Sequence, residues 1–137
     1  MKTYSVLTKK IPPRSRGHFF EELAKDYLVK KGLTFITKNF YCKMGEIDLI
    51  MHDKTKMLIF IEVRYRSSLS FGNPSETISA AKQNRLRKTA LFYMASHKLD
   101  VPCRFDVIAI CPAKENSGNI SHREGPYQID WIPNAIY

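Results

Sequence analysis

Gly45-Glu46-Ile47-Asp48-Leu49-Ile50-Met51-His52-Asp53-Lys54-Thr55-Lys56-Met57-Leu58-Ile59-Phe60-Ile61-Glu62-Val63-Arg64-Tyr65-Arg66 is the stretch on which the fold turns. Two strand-like runs, 46–52 and 57–65, flank a polar turn, and each holds one acid in an apolar context. Asp48 stands between Ile47 and Leu49; Glu62 follows Leu58-Ile59-Phe60-Ile61 and precedes Val63. An ionised carboxylate is costly to bury unless it is paired or holds a cation. Alternation along a strand puts Leu58, Phe60, Glu62 and Arg64 on one face and Ile59, Ile61, Val63 and Tyr65 on the other. Glu46, Asp48 and Ile50 share a face of the first run by the same rule. In an antiparallel hairpin a three-residue loop, Lys54-Thr55-Lys56, sets Asp48 opposite Glu62. A two-residue loop at Lys54-Thr55 sends Glu62 to the other face. Three-residue loops want a residue in the left-handed region, and no Gly or Asn supplies one, so the register is an inference.

Upstream, residues 1–14 carry Lys2, Lys9, Lys10 and Arg14 and no acid, and read as a basic arm ahead of a single domain, 15–137. The arm is either a solvated tail or a phosphate contact. Ser15 or Gly17 opens a helix to about Lys31, stopped by Gly32, with the stripe Phe20, Leu23, Ala24, Tyr27 and Leu28 packed inward. Glu22 falls opposite the stripe and should face solvent, whereas Glu21 lies on its edge. Leu33–Lys38 and Asn39–Lys43 read as two extended pieces.

Downstream, Ser67–Glu76 is a loop with Phe71-Gly72-Asn73-Pro74 as turn chemistry. Ser75 or Thr77 caps a second helix to about Leu99, with Ile78, Ala81, Leu86, Ala90, Tyr93 and Met94 as its packed face. From Thr77 to Leu99 there is no acid, while Lys82, Arg85, Arg87, Lys88 and Lys98 supply positive charge. A one-sign run of this length points to phosphate contact through Arg85, Arg87 and Lys88. Arg104–Cys111 is a third strong strand, Lys114–Gly125 a flexible loop, and Tyr127–Ile132 an edge strand ended by Pro133. Helix, strands, helix, strand, strand predicts an α/β fold, a mixed sheet flanked by helices.

Composition narrows the function. The net charge of +9 over 137 residues suits a polyanion, nucleic acid ahead of an anionic membrane surface. No apolar run reaches the length of a membrane span, and no secretory leader opens the chain. Cys42, Cys103 and Cys111 are an odd set without CxxC spacing, read as reduced thiols of a cytoplasmic protein. Phosphate-binding glycine loops are absent, and the four histidines lack zinc spacing.

Asp48 and Glu62 together suit a hard cation such as Mg²⁺ or Mn²⁺, which takes a few carboxylate oxygens with water and substrate phosphate. Metal-assisted phosphodiester hydrolysis fits such a pair in a basic surround, with Arg64 adding positive charge. The competing reading is an Asp48–Arg64 or Glu62–Arg64 ion pair across the sheet.

At these residues the chain resembles the YraN family of uncharacterised bacterial proteins. The resemblance is carried by Gly45-Glu46-Ile47-Asp48-Leu49-Ile50, Phe60-Ile61-Glu62-Val63-Arg64-Tyr65-Arg66 and Arg104-Phe105-Asp106-Val107. Gly17 with Glu21 and Ala24, Phe71-Gly72, and Lys82 with Arg85 add to it, over roughly residues 15–136. The family is similar to restriction-endonuclease-like nucleases, near archaeal Holliday-junction resolvases. The resemblance implies that fold and a DNA nuclease, on branched or single-stranded forms, with Glu21, Asp48, Glu62 and Arg64 as catalytic positions. By analogy with resolvases it implies a homodimer, and DNA rather than RNA as partner. One departure matters: where the group carries a catalytic Lys, this chain has Arg64. Arg stays protonated and is shaped for bidentate contacts, so activity is expected to be weak, and Lys82 is the candidate to supply the missing ammonium. The alternative function is a catalytically silent nucleic-acid-binding module in recombination, repair or DNA uptake.

Overall fold

A computed structural model describes residues 13–67, 78–113 and 122–136. The elements are α1 (Pro13–Lys30), β1 (Thr34–Cys42), β2 (Gly45–His52), β3 (Leu58–Tyr65), α2 (Ala80–Ser96), β4 (Cys103–Pro112), β5 (Arg123–Glu124) and β6 (Tyr127–Ile136). The six strands form one sheet in the order β1-β2-β3-β4-β6-β5. Among the described strands only β3 and β4 run parallel, Leu58 beside Cys103 through Tyr65 beside Ile110; the other pairings described are antiparallel.

The central strands of the sheet are buried on both faces. α1 packs Phe20, Leu23, Ala24, Tyr27 and Leu28 onto Leu49, Met51, Ile59, Ile61, Ile108, Ile110 and Ile129. α2 packs Leu86, Ala90 and Tyr93 onto Ile47, Ile50, Leu58, Phe60 and Val107 on the opposite face. Strands buried on both faces read as near-continuous apolar runs, which is why 58–63 and 107–111 are so apolar. The six-stranded mixed sheet between two helices is a restriction-endonuclease-like α/β fold.

The hairpin takes the three-residue loop. β2 and β3 pair Leu49 with Ile61, Ile50 with Phe60, Met51 with Ile59 and His52 with Leu58, and this register sets Asp48 opposite Glu62. Lys56 supplies the left-handed residue at φ +71°. Asp53 makes this tolerable, its Oδ1 accepting from the backbone of Thr55 (2.8 Å) and Met57 (3.1 Å) and from the Thr55 hydroxyl (2.7 Å). Such a side-chain turn replaces the conformational ease that Gly would bring.

Several boundaries differ from expectation. α1 begins at Pro13, so Pro13 and Arg14 belong to the helix rather than an arm; residues 1–12 lie outside the described residues. Proline suits the first helical position, where its missing N–H has no partner to lose. The two extended pieces after Gly32 are one strand, β1, with a register shift between Phe35 and Thr37. α2 is capped by Ser79, whose side chain accepts from the Lys82 backbone N–H, and it ends at Ser96. Ser75 and Thr77 are among residues 68–77, which are not described. Ala81 is exposed, and Thr89 is buried in its stead.

Within 114–125, Arg123 and Glu124 pair with Gln128 and Tyr127; residues 114–121 lie outside the description. β6 continues through Pro133 to Ile136 because its register with β4 shifts between Phe105 and Val107. Asn134, at φ +55°, donates its N–H to Asp106 Oδ1 at 2.9 Å instead of to the ladder.

Strand alternation also breaks once. Leu49 packs under α1, yet Ile47, two residues earlier, packs under α2. The break falls where Asn39 of β1, at φ +52°, lies across from Asp48, between the pairs Lys38–Leu49 and Phe40–Ile47. A left-handed residue twists the β1–β2 ribbon there and leaves Asp48 at the changeover between the two faces.

Candidate active site

β2 and β3 part company at Asp48. Asp48 Oδ2 accepts the Val63 N–H at 2.8 Å, a side chain taking a backbone donor of β3. Beside it, Glu62 is buried at 6% exposure, and its Oε1 lies 2.6 Å from Lys82 Nζ, reaching in from the first turn of α2. Gly45, Glu46, Asp48, Glu62, Lys82, Arg85 and Leu86 line a cleft of about 200 Å³. Gly45, at φ +153°, opens β2 beneath α2; a Cβ there would lie 3.1 Å from Thr89 Oγ1. Thr89 in turn donates its hydroxyl to the Arg85 carbonyl at 2.7 Å.

Electrostatics mark Asp48 as the strained member. Burial, and then the charge of Glu62, push its carboxyl up to about 8, against the pull of the Val63 N–H and Lys82. Glu21 adds to that push from α1. Glu21 itself is raised by burial, with His18 and Asn39 pulling the other way. His18 Nδ1 lies 3.4 Å from Glu21 Oε1. With its amino group turned toward the acids, the Asn39 amide donates to Glu21 Oε2 and Oε1 at 2.8 and 3.0 Å and to Glu46 Oε1 at 3.2 Å. Glu22, half exposed, bonds Lys25 and Lys38 instead.

The structure therefore brings together Asp48, Glu62, Lys82 and Arg85 of the residues singled out from sequence. Glu21 stands at the margin, sensed by Asp48 but bridged to Glu46. Arg64 sits half-buried on β3 beside Ala109 of β4 and is not among the residues lining the cleft. Lys88 is exposed on α2, while Arg87 turns along the helix, donating to Asn84 Oδ1 at 3.0 Å and Gln83 Oε1 at 3.4 Å. Asn39, Glu46 and Gly45 escaped the sequence reading as site residues. The signal was an Asn inside a β-branched and aromatic run, since Asn tolerates the left-handed region that its neighbours do not.

Could the cleft hold a divalent cation? Among the described residues no three His, Cys, Asp or Glu side chains converge as a metal centre. Asp48 and Glu62 do offer hard oxygen donors side by side, in a setting that penalises their joint negative charge. Mg²⁺ commonly takes only one or two carboxylates, completing its shell with water and phosphate. The donor chemistry fits such an ion.

Asp106, the fully buried acid of β4, is accounted for without a ligand. Fully buried, it accepts from Arg104 Nε (3.0 Å), Trp131 Nε1 (2.8 Å) and the Asn134 N–H (2.9 Å). The thiols of Cys42, Cys103 and Cys111 are all free. Among the described residues no helix is long and apolar enough to cross a membrane.

Fold and cleft together define an α/β protein of the restriction-endonuclease-like class, with a basic helix laid over a carboxylate pair. The family model described as uncharacterised protein family UPF0102 matches residues 20–110. A UPF0102 protein of Coxiella burnetii (strain RSA 331 / Henzerling II) is 47% identical over 132 residues, 95% of this chain and 94% of its own length. One from Aliivibrio fischeri (strain MJ11) is 41% identical over 133 residues, 95% and 98% of the two chains. A third, from Shewanella woodyi, is 44% identical over 124 residues, 90% and 93%. The chain belongs to the UPF0102 family, the YraN family that its motifs resemble.

Proposed function

We propose that this protein is a Mg²⁺- or Mn²⁺-dependent nuclease that hydrolyses phosphodiester bonds in DNA. The observation that carries the reading is the cleft itself, where Asp48 and Glu62 on adjacent strands meet Lys82 and Arg85 from an acid-free helix. Asp48 and Glu62 would hold the cation, which when bound supplies charge neutralisation and a more acidic water. Arg85, at the rim, draws in and orients the phosphate. Lys82 neutralises Glu62 in the free protein and would be the ammonium nearest the reacting position. Glu21, Asn39 and Glu46 fix the geometry behind Asp48. The unpaired thiols suit a reducing, cytoplasmic setting.

The test is calorimetric titration of Mg²⁺ and Mn²⁺ into wild type and Asp48→Asn, followed by cleavage assays on duplex, branched and single-stranded DNA. Wild type should bind the cation and cleave; Asp48→Asn should lose both. Glu62→Gln should abolish cleavage and leave DNA affinity in place. Absence of cation binding and of cleavage on every substrate would sink the nuclease reading. A second reading, a silent DNA-binding module, draws on the Lys82–Glu62 ion pair, in which one carboxylate is already neutralised. DNA binding without cation binding would select it.

A further inference from the structure

We infer that the outer face of α2 is a platform for an unpaired nucleic-acid strand, with Phe92 stacking a base just beyond the basic residues at the cleft. This rests on the nuclease reading for the strand's path and adds the kind of strand that is held. Arg85, Lys88 and Phe92 follow one another at the spacing that shares a helix face, and all three are exposed. Arg85 also lines the cleft, so the stripe starts there and extends about 10 Å along the axis, at the usual rise per residue.

An exposed Phe alone calls for no explanation. This one, 46% exposed beside Leu91 at 67%, is backed by other rings. Phe40 lies behind it, centroids 6.3 Å apart and tilted by 34°, and Phe40 meets the buried Tyr93 edge-on at 5.0 Å. Phe92 therefore packs against Phe40 while staying about half open to solvent.

Charge names the occupant. The described part of α2 has no acid, two cations precede Phe92 on its stripe, and the chain carries +9. Phosphates therefore fit at Arg85 and Lys88. A phosphate gains nothing from a phenyl face, and the bases of a duplex are already stacked. An unpaired base gains about 5- to 150-fold in affinity from one aromatic ring.

The experiment is fluorescence anisotropy on the full chain in EDTA, with three probes: an oligothymidine, an abasic oligomer of the same length and a duplex. Phe92→Ala should weaken oligothymidine binding at least about fivefold and leave the abasic and duplex probes unchanged, and Phe92→Trp should restore it. Equal wild-type affinity for oligothymidine and the abasic strand, or an equal loss on all probes, would overturn the platform. So would sedimentation showing that Phe92→Ala converts a dimer to monomers, which would make this face a contact between copies. None of these outcomes touches the nuclease reading, which stands or falls with Asp48 and Glu62; failure to bind any probe would overturn the platform alone.

Discussion

At Asp48 two demands collide: the sheet buries the residue, and Glu62 sets a second carboxylate beside it. Its carboxyl titrates near 8 instead of near 4, so the folded protein keeps a proton that the unfolded chain releases. That contribution to stability is full below about pH 4 and is lost as the pH rises through about 8. In metal-free buffer the melting temperature should fall across that window. Asp48→Asn should flatten the fall and melt several degrees higher at pH 8, roughly 3–5 °C for each ~1 kcal/mol in a domain of this size. An unchanged fall in the variant would mean that Asp48 is already ionised in the fold across that window.

A second residue-scale test separates the two candidate cations. Lys82 touches Glu62, whereas Arg64 lies outside the lining. Lys82→Met should cost cleavage about 10²-fold or more, the usual scale for losing a proton-transfer group, and Arg64→Lys should change it only a few-fold. A large gain from Arg64→Lys would return the role to position 64.

Among the elements, α2 carries the DNA contacts unevenly. Arg85 and Lys88 are exposed, but Arg87 is occupied by Gln83 and Asn84. The log–log salt dependence of DNA affinity should therefore flatten by about 0.9 for each of Arg85→Ala and Lys88→Ala on duplex, and far less for Arg87→Ala. Equal changes at all three positions would mean a diffuse positive field instead of a track. The β2–β3 hairpin allows a stability test. Lys56 adopts a conformation natural to Gly, so Lys56→Gly should be neutral or stabilising, while Asp53→Ala should be destabilising through the loss of its turn hydrogen bonds, both read by urea denaturation. That hairpin also shows why its register could be inferred but not read. The parity of Glu62 with the core was visible, but the turn's solution lies in three hydrogen bonds to Asp53, a residue that looked like ordinary turn polarity. The face change at Asp48 was invisible for a related reason, since period-two reasoning assumes an unbroken pleat and Asn39 breaks it. Likewise Pro133 reads as a stop in sequence, yet β6 runs past it with the next N–H, that of Asn134, donated to Asp106 instead of to the ladder.

For the whole molecule, Asp106 is a structural acid that sequence alone could have mistaken for a third ligand. Asp106→Ala would strand the Trp131 and Asn134 donors and the Arg104 charge, and should cost about 3–5 kcal/mol, with the folded fraction keeping its DNA affinity. Loss of affinity at unchanged stability would instead put Asp106 in the site. The apolar runs and helical stripes made the layers legible; Lys82 entering over β3 was not, because only tertiary packing sets how far α2 reaches. The single parallel pairing has a kinetic consequence as well. β1, β2 and β3 join by neighbouring segments and can form early, bringing the two carboxylates side by side. β4 must come back past all of α2 before Leu58 finds Cys103, and such distant closures are slow. Until α2 packs onto that three-stranded ribbon, a refolding chain holds an uncovered acidic pair at its end. Divalent cations present during refolding should speed recovery of the native state by shielding that pair, and stopped-flow Trp131 fluorescence with and without Mg²⁺ would time the event.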